Sequence, residues 1–289
     1  MKLLLLGKNG QVGWELQRSL ANLGEVIALD RNVEDGLCGD LADVPRLRAT
    51  IQRVAPDIIV NAAAYTAVDR AESDKDLVQA IAEEAAKLGS WFAHYSTDYV
   101  FDGAGSVPWQ EGDVVSPVNY YGMTKLMGEQ AITAAGCKYL IMRTSWVYGA
   151  RGNNFAKTRL RLAADRDELN IIDDQVGAPT GADLIADVTA AMIRQALVDP
   201  EVAGIYHLVA AGFTSWHEYA SLVIEQGKAS GLPQQVQALN TIPTTQFPTP
   251  ARRPLNSRLN TEKLRDTFST HLPDWRSGVT RILKEVLEK

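Results

Sequence analysis

The sequence has few of the residues that build disulfide scaffolds and metal centres. Cys38 and Cys137 are its only cysteines, and it has four histidines among 289 residues. Two cysteines are too few for a secreted disulfide framework, and no Cys or His cluster has the spacing of a metal site. We therefore expect a protein of a reducing compartment without a structural metal.

The chain also lacks an excess of positive charge and any long apolar run. Its formal net charge of −6 gives no basic surface for nucleic acid, so no nucleic-acid partner is expected. The first apolar run, Leu3 to Leu6, is too short for the core of a signal peptide or for a membrane span. These absences favour a cytoplasmic protein with no membrane partner.

Short apolar runs alternate with stretches of helical periodicity along the first half of the chain. Strands separated by crossover helices predict a parallel sheet that is covered on both faces. The predicted strands are 3–6, 26–29, 58–60, 91–95 and 140–147, and the predicted helices include 11–20, 44–54 and 119–134. This order predicts an α/β fold with a doubly wound parallel sheet of the Rossmann type.

The pattern becomes less regular after residue 149. We assign residues 1–149 to an NAD(P)-binding Rossmann domain, to which later segments return, and residues 150–289 to a smaller, mixed α/β C-terminal substrate domain. The second part has predicted strands at 171–172 and 206–209 and a predicted helix at 182–196.

Three glycines stand between the first predicted strand and the first predicted helix. Gly7, Gly10 and Gly13 form a GxxGxxG motif, where a backbone without Cβ atoms can approach a pyrophosphate at the helix N-terminus. The alternative is a tight turn with incidental glycines, but the position between a strand and a helix favours a dinucleotide cofactor.

Asp30 ends the second predicted strand, 17 residues after Gly13. A carboxylate at about this separation accepts hydrogen bonds from the adenosine ribose of NAD. The neighbouring Arg31 can instead pair with the 2′-phosphate of NADP, so both cofactors stay open.

Tyr121 and Lys125 lie four residues apart in a predicted helix and therefore share one face. Reduction of a ketone needs a proton as well as a hydride, and a phenol with a pKa of about 10 is a poor proton donor at neutral pH. A neighbouring ammonium group lowers that pKa. Upstream, Thr97 and Asp98 follow a predicted strand at the edge where such sheets bind ligands. These residues predict proton transfer to a carbonyl oxygen.

These motifs resemble the extended short-chain dehydrogenase/reductase superfamily, and more narrowly the dTDP-4-dehydrorhamnose reductase family. The narrower resemblance spans nearly the whole chain and rests on residues 7–13, 61–64, 94–101, 143–148, 152–155, 174–180 and 253–254.

The resemblance implies roles for individual residues. Tyr121 would be the proton donor and Thr97 would tune it, while Thr97, Asp98 and Trp146 would contact the substrate. Core packing of Trp146 is an equal alternative. With the glycine turn, the residues expected to bind NADPH or NADH are Gly7, Gly10, Gln11, Val12, Gly13, Asp30, Asp40, Leu41, Ala63, Ala64, Tyr65, Thr66, Tyr121 and Lys125.

The implied reaction is reduction of the C4 ketone of dTDP-4-dehydro-β-L-rhamnose to dTDP-L-rhamnose, a precursor of bacterial surface polysaccharide. One alternative is a nucleotide-sugar epimerase or dehydratase that retains NAD through its cycle. A second is a non-catalytic regulatory subunit on the same fold, against which the intact Tyr121, Lys125 and Thr97 argue.

Four prolines, Pro243, Pro248, Pro250 and Pro254, exclude a helix in their segment and predict a long loop that can cover a pocket. Arg252 and Arg253 in this loop either reach a diphosphate or remain solvated, and both possibilities stay open.

The chain departs from the resemblance before the helix that precedes the fourth predicted strand. About eight residues are absent after Glu72, which is roughly two helical turns. Because a crossover must still span the sheet, we expect that the sequence omits residues here rather than that the crossover is shorter. This predicts a break or a distorted connection near residues 78–81.

Glu15 and Asp183 are candidates for a subunit contact that holds a divalent ion, because some members of the resembled family use magnesium in dimerisation. The sequence shows no ligand cluster of its own. The expectation is a homodimer, with Mg²⁺ resting on the resemblance alone.

Overall fold

The computed structural model describes residues 1–63 and 74–287, and its centre is a six-stranded parallel sheet. Continuous apolar runs form these strands because helices cover both faces, so that successive side chains are all buried. Leu3, Leu4, Leu5 and Leu6 of the first strand are fully buried. The α/β fold with a parallel, doubly wound sheet is therefore confirmed.

The first and third strands of the sheet in chain order, Lys2–Leu6 and Ile58–Asn61, lie side by side. Along the sheet the order is β12, β7, β6, β5, β1, β2, and every neighbouring pair is parallel. The chain reverses its direction of winding between β1 and β5, and ligands bind at such a point beyond the carboxyl ends of the strands. The described strands are β1 (Lys2–Leu6), β2 (Glu25–Leu29), β3 (Val33–Glu34), β4 (Leu37–Cys38), β5 (Ile58–Asn61), β6 (Trp91–Thr97), β7 (Lys138–Thr144), β8 (Val147–Tyr148), β9 (Glu168–Ile172), β10 (Val176–Gly177), β11 (Thr180–Gly181), β12 (Gly204–His207), β13 (Thr214–Ser215) and β14 (Ala238–Ile242).

Helices pack on both faces of this sheet. One face is covered by α1 and α6 and the other by α2, α3 and α4, with an apolar core between each helix layer and the sheet. The described α-helices are α1 (Gln11–Leu20), α2 (Val44–Val54), α3 (Asp74–Leu88), α4 (Tyr120–Ala134), α5 (Phe155–Asp165), α6 (Ala182–Val198), α7 (Trp216–Ala229), α8 (Glu262–Phe268) and α9 (Trp275–Leu287). Within the described residues, none of them combines the length and apolarity needed to cross a bilayer.

The helix α3 contradicts the predicted break near residues 78–81. It is continuous from Asp74 to Leu88, with Val78 and Ile81 buried against the sheet. Val78, Ile81, Ala82 and Ala85 recur at helical spacing and share one apolar face, so this segment forms a regular helix. The connection that precedes α3 lies outside the described residues.

The second half of the chain contributes both to the sheet and to a smaller layer beside it. β12 pairs with β7 at the sheet edge, and α6 packs on α1. The smaller layer contains α5, α7 and α9, whose buried aromatic and aliphatic side chains form their own core.

The predicted strand over 140–147 is two strands in the structure. β7 ends at Thr144 and β8 begins at Val147, and Trp146 between them has a φ of +47°. A left-handed backbone at a bulky residue ends the extended run, and such outliers are concentrated at functional sites.

The proline-rich segment contains only a single 3-10 turn, Thr244–Gln246, as expected from its prolines. Thr244 donates its backbone N–H to Asp174, and the carbonyl of Arg252 accepts from the Asn119 side chain at 2.8 Å. The segment is therefore fixed at both ends, and its second contact lies at the start of α4.

Candidate active site

The glycine turn joins the carboxyl end of β1 to the start of α1. Gly7 has a φ of +87°, which favours glycine, and its N–H donates to the carbonyl of Leu29 at 2.9 Å. A Cβ on Gly13 would lie 2.0 Å from the Gly7 carbonyl oxygen. Only glycine at position 13 lets α1 approach β1 this closely.

The N-terminus of α1 has the features of an anion site. Gly10 is the N-cap residue of α1, so no side chain caps the helix, and the first turn of the helix holds no acidic residue. A Cβ on Gly10 would make ordinary contacts, 3.4 Å from the Gly7 carbonyl oxygen and 3.9 Å from that of Ala62, so Gly10 lies between the turn and the end of β5. Backbone N–H groups and the helix dipole favour a phosphate there. The turn therefore fits the pyrophosphate of a dinucleotide.

Asp30 lies beside the glycine turn at the end of β2. Its carboxylate accepts from the Asn9 side chain at 2.6 Å and from the Asn32 backbone N–H at 2.7 Å. Asp40 is close by, because Gly39 packs against the Asp30 carbonyl. The neighbouring Leu41 is half-buried against the core under α2. Asp30 thus orders the loop at which the adenosine end of a cofactor would lie.

The structure places Gln11 and Val12 in the first turn of α1 but with side chains that point away from each other. Gln11 accepts from the Asn154 side chain at 3.1 Å, and Val12 packs into the core between α1 and the sheet. The backbone N–H groups of this first turn are the groups that a helix N-terminus offers to a pyrophosphate.

The end of β5 forms the other wall of this cleft. Asn61 is buried, and its side chain accepts from the Ala63 N–H at 3.1 Å and lies 3.2 Å from the ring of His94. Ala63 is the last residue described in this part of the chain. The predicted cofactor residues Ala64, Tyr65 and Thr66 lie outside the described residues.

Thr97 and Asp98 lie at the carboxyl end of β6, and both are buried. The Thr97 hydroxyl donates to Asp98 at 3.1 Å and accepts from the Tyr99 N–H at 3.2 Å. The second Asp98 oxygen is buried without a hydrogen-bond partner. Burial raises the pKa of Asp98 to about 7, although the nearby hydroxyl groups of Ser257 and Thr97 oppose this.

α4 carries the predicted catalytic pair beside these residues. Tyr121 is half-buried, and its ring packs edge-to-face on Tyr99 with 5.8 Å between centroids. Lys125 is buried, with Nζ 3.5 Å from the carbonyl of Tyr95 in β6. A Cβ on Gly122 would lie 2.1 Å from the Tyr99 carbonyl, so glycine permits the helix to approach the end of β6.

Trp146 is half-buried at the edge of the site. Its ring stacks on Trp216 with centroids 3.6 Å apart, and a Cβ on Gly177 would lie 2.8 Å from the ring. Trp146 therefore packs on its neighbours and keeps partial exposure, and its contact with a substrate stays a prediction.

The second half of the chain supplies further groups near Asp98. Ser257 is buried and lies beside both Asp98 and Gly177. Arg253 is exposed and lowers the pKa of Tyr99 through its charge, against a larger increase from burial. No local sequence pattern marked Ser257 as a site residue, because only the tertiary fold brings it to the end of β6.

A family model described as the RmlD substrate binding domain matches residues 1–288 of the chain. The chain is 55% identical over 294 residues to a dTDP-4-dehydrorhamnose reductase of Escherichia coli K12, covering 99% of this chain and 98% of that relative. It belongs to the dTDP-4-dehydrorhamnose reductase family.

Solved structures with the same family name have the same fold. A dTDP-4-dehydrorhamnose reductase from Clostridium acetobutylicum has a TM-score of 0.87 at 32% identity, and each chain is fully covered. A reductase from Bacillus anthracis, solved in complex with NADP, has a TM-score of 0.84 at 30% identity, with 98% of this chain and 99% of that chain covered. The resemblance inferred from the sequence motifs is confirmed.

The alignment with the Escherichia coli family member contains positions that this chain lacks. It extends over 294 residues, whereas this chain has 289, so the chain lacks at least a few residues that the relative has. Residues are therefore absent relative to this dTDP-4-dehydrorhamnose reductase, although α3 itself is regular.

The candidate magnesium residues meet near the N-terminal end of α6. Asp183 pairs with Arg281, and burial together with the charge of Asp183 raises the pKa of Glu15. Among the described residues, no group of three or more His, Cys, Asp or Glu side chains has the arrangement of a metal site. Arg281 therefore supplies a positive charge beside Asp183 in this member of the dTDP-4-dehydrorhamnose reductase family.

Proposed function

We propose that this chain is an NAD(P)H-dependent oxidoreductase that reduces the C4 ketone of dTDP-4-dehydro-β-L-rhamnose to dTDP-L-rhamnose, a step of dTDP-rhamnose and surface polysaccharide (O-antigen) biosynthesis. One observation carries this proposal. Thr97, Tyr121 and Lys125 lie at the carboxyl end of β6, on the same edge of the sheet as the glycine turn, in a chain of the dTDP-4-dehydrorhamnose reductase family.

The cofactor would lie across the carboxyl ends of β1 and β5. Gly7, Gly10 and Gly13 would receive its pyrophosphate at the start of α1, and Asp30 with Asp40 would face its adenosine ribose. When bound, NADPH or NADH supplies the hydride. Leu41, Ala63 and the backbone of Gln11 and Val12 would line the same cleft.

Tyr121 would donate the proton to the ketone oxygen. The buried Lys125 shares its helix face and lies one turn along α4, where its ammonium favours the phenolate form. Thr97 would tune the phenol with its hydroxyl, which is held at 3.1 Å from Asp98. This division of roles leaves the hydride to the cofactor and the proton to the protein.

The substrate would lie between the end of β6 and the second half of the chain. The unpartnered oxygen of Asp98 would bind a sugar hydroxyl, since a buried polar atom without a partner is costly in the absence of a ligand. Trp146 would pack against the sugar or base with its exposed part. We accordingly propose residues 1–149 as the cofactor-binding domain and 150–289 as the part that completes the substrate site.

The decisive experiment measures NADPH and NADH oxidation with enzymatically prepared dTDP-4-dehydro-β-L-rhamnose, with the product identified by mass and NMR. We expect one cofactor molecule to be oxidised for each molecule of dTDP-L-rhamnose formed. The rates with NADPH and with NADH then show which cofactor is preferred. A nucleotide sugar converted without net oxidation would instead identify an epimerase or dehydratase. Cofactor binding without any conversion would favour a regulatory subunit.

The same proposal includes a cytoplasmic homodimer. Light scattering of the purified chain, with and without Mg²⁺ and a chelator, tests the oligomer. A dimer that persists in the chelator would make the metal dispensable for association.

A further inference from the structure

α4 presents a third polar side chain on the face that carries the proposed catalytic pair. Tyr121, Lys125 and Glu129 follow at intervals of four residues, so they lie on adjacent turns of one helix face. Glu129 is only 2% exposed. A buried carboxylate must have strong partners, and their identity shows what the helix is attached to.

Glu129 is bound to the two strands that end at the site. Its Oε1 accepts from the Ser96 hydroxyl at 2.5 Å and from Arg143 Nε at 2.9 Å, and its Oε2 accepts from a second Arg143 nitrogen at 2.6 Å. Ser96 and Arg143 are 4% and 3% exposed. One carboxylate thus joins α4 to β6 and to β7 through a buried, bidentate ion pair.

Arg143 is itself fixed by two further contacts. Its remaining terminal nitrogen lies 3.4 Å from the carbonyl of Glu111, and its guanidinium lies 5.1 Å from the centre of the Phe101 ring. The planar guanidinium therefore cannot turn without losing partners on several elements, which makes it a rigid anchor for Glu129.

The location of these contacts matters for the chemistry. Ser96 immediately precedes Thr97, and Arg143 pairs in register with Ser96 across the sheet. The network therefore sets the distance between the strand end that carries Thr97 and the helix that carries Tyr121. Buried ion pairs add little net stability compared with apolar side chains of similar size, but they define geometry.

We propose that Glu129, Arg143 and Ser96 are positioning residues that hold Tyr121 and Lys125 in register with Thr97 for proton transfer. This inference rests on the proposed reductase function. Its central prediction is that loss of the Glu129 carboxylate lowers kcat more than it changes cofactor affinity, because the glycine turn lies on other elements.

The test compares Glu129→Gln with Glu84→Gln. Glu84 on α3 is also a buried carboxylate, 1% exposed, with Arg48, Lys87 and Gln52 as partners, and it lies away from the end of β6. Both variants lose charge-assisted hydrogen bonds. We expect kcat to fall about 10- to 100-fold in Glu129→Gln and less than about 2-fold in Glu84→Gln, with the Kd for NADPH unchanged in both.

A double variant separates positioning from stability. Glu129→Leu combined with Arg143→Leu replaces both charges with apolar side chains and is expected to keep the melting temperature near that of the wild type while kcat stays low. A double variant with wild-type kcat would overturn the proposal, as would equal kcat losses in the two Gln variants. If the double variant does not fold, the comparison of Glu129→Gln with Glu84→Gln still decides whether Glu129 has a positioning role.

Failure of the proposed function would look different. If the wild-type chain did not oxidise NADPH with the 4-keto sugar, the reductase assignment itself would be lost. Wild-type activity with an unaffected Glu129→Gln variant would reject only the positioning role.

Discussion

The rings of Tyr99 and Tyr121 meet edge-to-face, with their centroids 5.8 Å apart. Burial and the charge of Asp98 raise the pKa of Tyr99 to about 12, although the nearby Arg253 opposes this. Tyr99 therefore stays protonated and forms a neutral wall of the site. The proposed role of proton donor therefore falls to Tyr121 rather than to Tyr99, since Lys125 lies one turn from Tyr121 on the same helix.

Replacement of the proposed proton donor, Tyr121→Phe, should lower kcat by about 100-fold or more, because the ring remains but the phenol is lost. NADPH affinity should change little. The control is Tyr120→Phe, a neighbouring tyrosine that is 55% exposed, which should leave kcat unchanged. Steady-state kinetics and fluorescence titration with NADPH measure both quantities. Wild-type kcat in Tyr121→Phe would reject the role.

The cofactor preference should respond oppositely to two neighbouring substitutions. Asp30→Ala should weaken NADH binding more than NADPH binding, because the carboxylate suits a free ribose hydroxyl. Arg31→Ala should weaken NADPH more, because its exposed guanidinium suits the 2′-phosphate.

Asn9→Ala controls for the loop contact of Asp30, because it removes the hydrogen bond from the Asn9 side chain but leaves the carboxylate. Titrations with NADH and with NADPH give the ratio of the two Kd values for each variant. Equal losses for NADH and NADPH in Asp30→Ala, matched by Asn9→Ala, would reduce Asp30 to a structural role.

Asp98 should make stability depend on pH. Its pKa in the folded protein, about 7, is above the ordinary value of 3.8, so folding favours the neutral form. This contribution is fully present below the unfolded-state pKa and is lost as the pH rises through about 7. The stability of the wild type relative to Asp98→Asn should therefore fall by about 1–3 kcal/mol between about pH 5 and about pH 8.

Denaturant unfolding of both proteins at the two pH values gives this difference. The groups that titrate in both proteins contribute equally to the two free energies of unfolding, so the difference from Asp98→Asn reports Asp98 alone. A difference that stays constant with pH would show that Asp98 is already ionised in the folded protein near neutral pH.

The close approach of α1 to β1 should not tolerate a methyl group. In Gly13→Ala the new Cβ would clash with the Gly7 carbonyl, and we expect a loss of about 1–3 kcal/mol of stability together with weaker cofactor binding. Gly112→Ala is the matched control, because a Cβ there meets nothing within 4 Å. Thermal unfolding with and without NADPH compares the two. Similar behaviour of both variants would contradict the packing argument.

Local patterns in the sequence predicted most of the secondary structure. Helices α1 and α2 follow the predicted bounds, because their apolar residues recur at helical spacing and because glycine or an Asp43 cap begins them. The strand over 140–147 was predicted too long, since nothing local shows that Trp146 adopts a left-handed backbone. The break near residues 78–81 was wrong, because the buried face of α3 forms a regular helix.

The sequence by itself determined the alternation of strands and helices, the glycine turn and the shared face of Tyr121 and Lys125, because all of these depend on spacings within one segment. Only the tertiary structure decided what meets at the end of β6. Glu129 reaches Ser96 and Arg143, and Ser257 reaches Asp98, across long stretches of chain. Such contacts depend on how helices pack on a shared sheet, and burial there raises the pKa of Asp98 in a way that no local pattern encodes.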